Sequence, residues 1–94
     1  MESYDIDIYQ LKQMQIEGAI VIDIRSPQEF KEGHIDGAIN IPEYEIYRTV
    51  ERIVTNKNST IIVYCDTGIR STNALKRLQR MGYHNVYNLY KGMN

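Results

Sequence analysis

Two stretches of this chain are apolar with almost no interruption: Ala19-Ile20-Val21-Ile22-Asp23-Ile24 and Ile61-Ile62-Val63-Tyr64-Cys65. A strand that faces water on one side alternates polar with apolar residues. A β-branched run without that alternation is what a strand covered on both faces looks like, and such strands belong to parallel sheets flanked by helices. Few other architectures can take both runs.

The segments between them carry helix signals. Asp7 with Gln10 three residues on reads as a capping pair, and Gly18 suits the left-handed position at the helix end. Ser26-Pro27-Gln28-Glu29 reads as a second capping box, with proline at the first helical position and Gly33 as the stop. Ala38 to Ile41 is a short strand ended by Pro42. Ile46, Val50, Ile53 and Val54 recur at helical spacing, and the polar segment Thr55 to Thr60 is a loop. Ala74, Leu75, Leu78 and Met81 form one face of a further helix that Gly82 ends. Asn85 to Leu89 is the last strand, and a weaker first strand is signalled around Tyr4 to Ile6. The expectation is an α/β fold with a mostly parallel central sheet of about five strands and helices on both faces.

Ninety-four residues suffice for one domain and not for two. Eleven basic residues stand against twelve acidic ones, with no block of like charge, which argues against a nucleic-acid or membrane-surface partner. A single cysteine excludes an intramolecular disulfide, and His34 and His84 lie too far apart in sequence to suggest a metal site. The N-terminal Met1-Glu2-Ser3-Tyr4-Asp5 is acidic and has no apolar leader segment. The expectation is a cytoplasmic protein without metal or cofactor.

The one cysteine is placed for chemistry. Ile61 to Tyr64 delivers Cys65 to the carboxyl end of a strand, where ligands sit in open parallel sheets, and a helix starts just beyond. Loop N–H groups and the positive end of the helix dipole favour the thiolate, the reactive form of cysteine. Gly68 permits a tight loop, and Thr67 and Ser71 offer hydroxyl donors. Arg70 offers a fixed positive charge, whereas Asp66 partly offsets it.

The loop Cys65-Asp66-Thr67-Gly68-Ile69-Arg70-Ser71 resembles the active-site loop of the rhodanese family of sulfurtransferases. The block from Asp23-Ile24-Arg25 through Glu29-Phe30 to Gly33-His34-Ile35-Asp36-Gly37-Ala38-Ile39-Asn40-Ile41-Pro42 is similar to a second family segment. Gly82 to Leu89 resembles the family's closing strand region. The three blocks together cover essentially the whole chain. The family often ends its last strand with Gly-Gly and a nearby tryptophan; here Lys91-Gly92 stands there, and the chain has no tryptophan.

The resemblance implies one rhodanese-like domain over residues 1–94. It implies that Cys65 attacks the outer sulfur of a small anionic donor such as thiosulfate, becomes a persulfide, and yields the sulfur to cyanide or a thiol, with a protein a further candidate sulfur acceptor. Asp66, Thr67, Gly68, Ile69, Arg70 and Ser71 are then the substrate-binding loop. Cysteine phosphatases of related architecture place five residues between Cys and Arg. Here there are four, a smaller ring that suits a single sulfur atom. Two other readings stay open: a non-catalytic rhodanese-fold module that binds a protein or senses sulfur, and a thiol redox sensor, which the lack of a resolving cysteine disfavours.

Plainer roles compete at several positions. Arg70 could be no more than an ion-pair partner of Asp66, and Thr67 and Ser71 could serve as turn and N-cap residues. His34 lies in a Gly33/Gly37 turn and reads as structural. Arg25 and Glu29 form an i,i+4 pair, and Asp23 reads as scaffold or as support behind the loop. The eight tyrosines are expected to cover a thin core while keeping their hydroxyls in water.

Overall fold

Both capping boxes form. Asp7 accepts from the Gln10 N–H at 2.8 Å and Gln10 returns the bond to Asp7 at 2.9 Å. Ser26 and Glu29 do the same at 3.2 and 3.1 Å. Each box satisfies two N–H groups that a helix end would otherwise leave unpartnered. The computed structural model describes residues 2–93; Met1 and Asn94, the ends of the expected domain, lie outside the described residues.

Along the chain run β1 (Asp5–Ile6), α1 (Ile8–Ile16), β2 (Ile20–Asp23), α2 (Pro27–Glu32) and β3 (Ile39–Asn40). Then follow α3 (Ile46–Ile53), β4 (Thr60–Tyr64), α4 (Ile69–Arg80) and β5 (Asn85–Leu89). The strands make one sheet in the order β1-β5-β4-β2-β3, and every pairing is parallel. The expected α/β sheet of about five strands is therefore present.

The two apolar runs occupy the middle of that sheet as β2 and β4, and alternation splits their side chains between two cores. Ile22, Ile24, Ile61, Val63 and Cys65 join Ile46 and Val50 of α3 and Ala74, Leu75 and Leu78 of α4. Val21, Ile62 and Tyr64 face the other way, with Leu11 and Met14 of α1. Covering both faces is what removed the polar alternation from these strands. Truncating a central residue such as Ile62, wholly buried, to alanine is expected to cost about 2–5 kcal/mol.

Three expectations need correction. Ile53 is half exposed, so α3 packs through Ile46 and Val50, with Val54 buried beyond its end. Tyr64 and Tyr83 are fully buried rather than amphipathic covers. Their hydroxyls are satisfied inside the protein: Tyr64 accepts from the Ile35 N–H at 3.1 Å, and Tyr83 donates to the Val54 carbonyl at 2.7 Å. Arg25 does not pair with Glu29. It forks onto Asp23 instead, because Asp23 ends β2 and Arg25 follows two residues later, both buried, while the Glu29 carboxylate is committed to capping.

Candidate active site

Cys65 is the first residue past β4, at the carboxyl end of the central strand, and it is 1% exposed. The chain turns back over its sulfur. Gly68, at φ 89°, is the N-cap of α4, and its N–H donates to Cys65 Sγ at 3.2 Å. Only glycine fits there. The left-handed φ disfavours any side chain, and a Cβ would stand 3.2 Å from the Lys91 nitrogen and 3.4 Å from the Leu89 carbonyl.

Ser71 is wholly buried in the first turn of α4, with Oγ 3.4 Å from Cys65 Sγ. Burial pushes the thiol up. The Ser71 hydroxyl and the Ser71, Thr67 and Gly68 N–H groups outweigh it, leaving Cys65 below its ordinary value. A buried sulfur held by aligned amides at a helix N-terminus can carry a negative charge, as a thiolate nucleophile or a persulfide must.

The other loop residues are divided. Thr67, Gly68 and Ile69 line a cleft of about 330 Å³ together with Asn88 and Lys91. Arg70 lies in a different cleft, beside Ile24, Glu29, Glu43 and Tyr44. Among the described residues Arg70 makes no ion pair, so the plain reading of an Arg70–Asp66 pair is not realised. Asp66 turns to Arg25 instead, at 3.4 Å. Ser71 is not the N-cap, because Gly68 holds that position and α4 begins at Ile69. Thr67 serves a turn, with Oγ1 3.5 Å from the Ile69 nitrogen, and the Ile69 side chain is exposed. His34 stacks on Phe30 with ring centroids 3.7 Å apart and lines neither cleft.

Behind the loop stand Asn88, which was not singled out from the sequence, and the Lys91-Gly92 turn, which was. Asn88 of β5, 2% exposed, accepts from Ser71 Oγ at 2.5 Å and donates to Asp5 at 3.0 Å and Thr72 at 3.2 Å. One signal for it was available. In a strand over 85–89, Asn88 shares a face with the apolar Val86, and a polar residue on a core face requires a partner. Gly92 packs so closely that a Cβ would fall on the backbone of Cys65 and Asp66, and the Met93 N–H donates to the Cys65 carbonyl at 3.2 Å. Lys91, where the family often has the first glycine, adopts φ 68°. The turn after β5 thus keeps a glycine-like backbone with a lysine in it.

The chain and its fold match known proteins. The chain belongs to the rhodanese family: the Rhodanese-like domain matches residues 7–94. It is 42% identical over 67 residues to thiosulfate sulfurtransferase PspE of Escherichia coli K12, covering 71% of this chain and 64% of that protein. It is 32% identical over 84 residues to the tRNA uridine(34) hydroxylase of Buchnera aphidicola subsp. Baizongia pistaciae (strain Bp), covering 85% of this chain and 27% of that protein. The chain therefore spans less than two thirds of the length of these curated relatives. A solved structure described as rhodanese with anions from E. coli superposes with a TM-score of 0.74 at 37% identity, covering 81% of this chain and 88% of that one. Membership supports sulfurtransferase-type chemistry in general. No helix among the described residues is long and apolar enough to cross a membrane.

Proposed function

We propose that the protein is a sulfurtransferase that moves a sulfane sulfur from thiosulfate or a persulfide donor to cyanide or a thiol, with Cys65 as nucleophile and carrier. The observation that carries this reading is the buried Cys65 sulfur under the loop, accepting from the Gly68 N–H at 3.2 Å just before a twelve-residue helix. In the first step the thiolate attacks the outer sulfur of thiosulfate, the S–S bond breaks, and sulfite leaves with the bonding electrons. In the second, cyanide or a thiolate attacks the terminal sulfur of the Cys65 persulfide, and the Cys65 thiolate leaves as the S–S bond breaks. Two covalent half-reactions give ping-pong kinetics.

The loop amides support the charge of the thiolate and of the persulfide, so neither half-reaction requires rebuilding the site. With Cys65 almost fully covered, the donor must present a narrow terminal sulfur, which favours small sulfane compounds. Arg70, free of an ion pair among the described residues, is the proposed attraction for an anionic donor. The remaining loop residues, Asp66 to Ile69 and Ser71, shape the site. A cytoplasmic setting belongs to the same proposal, supported by a fold that holds its one cysteine as a free thiol.

The relative named as a tRNA hydroxylase is far longer than this chain, which covers 27% of it, so its activity supplies no argument for this domain. The test is turnover. With thiosulfate and cyanide, thiocyanate should form with parallel double-reciprocal plots. A protein that forms no thiocyanate and accepts no sulfur from any low-molecular-weight persulfide is instead the non-catalytic module.

A further inference from the structure

Ser71 has one hydroxyl proton, and the surrounding groups decide where it points. The Asp5 carboxylate only accepts, so the Asn88 amide nitrogen faces it, at 3.0 Å. Thr72 gives its own proton to the Gly68 carbonyl at 2.6 Å and is left to accept from the same nitrogen, at 3.2 Å. The Asn88 oxygen is thereby turned to Ser71 Oγ, 2.5 Å away. That oxygen can only accept, so it holds the Ser71 proton.

Ser71 therefore presents lone pairs to Cys65, and the 3.4 Å contact is the thiol donating to Ser71 Oγ. The resting arrangement suits a neutral sulfur. A thiolate or persulfide has no proton to give here and needs the one that Asn88 holds.

We propose that Asn88 is a positioning residue that sets the direction of the Ser71 hydroxyl, holding it away from Cys65 while the sulfur is protonated and releasing it when the sulfur is charged. This rests on the reading of Cys65 as the nucleophile. Release leaves the Asn88 oxygen without its donor in a buried site, so charging the sulfur costs one hydrogen bond. Asn88 thus opposes the loop amides and keeps part of the sulfur population neutral until substrate is present.

The charged groups around this chain of contacts are few. Asp5 on β1 touches Asn88, and Asp66 beside Cys65 is paired with Arg25. Lys91, past β5, shares the cleft with Asn88 and Gly68, and Arg70 is exposed on the first turn of α4. α3 contributes apolar Ile46 and Val50 to the core that holds Cys65.

The test is the pH midpoint of Cys65 alkylation by iodoacetamide, read in wild type, Asn88→Ala, Ser71→Ala and the double variant. Freeing the hydroxyl should lower the midpoint by about 0.5–1 pH unit in Asn88→Ala. In the Ser71→Ala background the same substitution should have no effect, a result that a purely structural Asn88 would not give. If Asn88→Ala does not fold, Asp5→Ala serves in its place. Its charge contribution is common to both backgrounds, so the excess lowering seen only with Ser71 present measures the hydroxyl. A midpoint that rises or stays in Asn88→Ala, or that falls equally without Ser71, overturns the proposal. Alkylation reads the thiol directly, so this outcome stands apart from whether the protein transfers sulfur.

Discussion

Arg25 Nη1 lies 3.4 Å from Asp66 Oδ1, which ties the residue after Cys65 to the end of β2. Arg25 itself is almost buried and forks onto Asp23, with one nitrogen also donating to the Gly33 carbonyl. Hydrogen bonding to Asp23 holds its guanidinium above the ordinary arginine range despite burial. Arg25 therefore keeps its charge at any working pH.

Charge and tether at Asp66 can be separated. Asp66→Asn keeps an oxygen for Arg25 and removes a negative charge beside the sulfur. It should raise kcat/KM for thiosulfate by about twofold to fivefold at low salt, as expected for a half-exposed charge. Asp66→Ala loses the tether as well and should fall below Asp66→Asn. Steady-state kinetics of the two variants checks this, and identical behaviour would mean that the contact with Arg25 does not position the loop.

Arg70→Ala should lower kcat/KM for thiosulfate by about tenfold to a hundredfold, or about 1.4–2.7 kcal/mol of transition-state stabilisation. The loss should shrink in high salt, since the side chain is exposed. Kinetics at two ionic strengths decides it. Unchanged values would remove Arg70 from donor binding, as its place in a separate cleft beside Glu29 and Glu43 would then explain.

Much of this architecture is legible in the sequence because local and global signals agree. The capping boxes at Asp7 and Ser26, the doubly buried β2 and β4, and the cysteine at a strand end are all short-range patterns. What was not legible depends on contacts between distant segments. Asn88 meets Asp5 across 83 residues, and Arg25 meets Asp66 across 41. The capping role at α4 passed to Gly68 because the loop must turn back over the sulfur, and its N–H is used there. Tyr64 and Tyr83 look amphipathic in sequence, and only the fold supplies the backbone partners that let them be buried.

The turn after β5 makes opposite predictions for neighbouring residues. Lys91 is strained at φ 68°, so Lys91→Gly should stabilise the protein by about 0.5–1 kcal/mol. Gly92→Ala combines φ 65° with a clash on the Cys65 and Asp66 backbone and should destabilise by about 2 kcal/mol or more. Urea unfolding measures both. Equal and small effects would mean that this turn does not press on the loop.

The thiol should titrate below the free-cysteine value of about 8.5. Burial raises it, and the Ser71 hydroxyl with the amides of Ser71, Thr67 and Gly68 lowers it further than burial raises it. The sign follows: as pH rises through the depressed value the thiolate fraction grows, so kcat/KM for thiosulfate should rise with pH, with its midpoint below about 8.5. A pH–rate profile still climbing steeply above that point would show an unactivated cysteine.

The most direct test of the central claim is intact-protein mass spectrometry after exposure to thiosulfate. Wild type should gain the mass of one sulfur atom, lose it on addition of cyanide, and carry it on the peptide that contains Cys65. Cys65→Ser should gain nothing while keeping its fold. Wild-type protein that gains no sulfur from thiosulfate or from a low-molecular-weight persulfide would contradict the account.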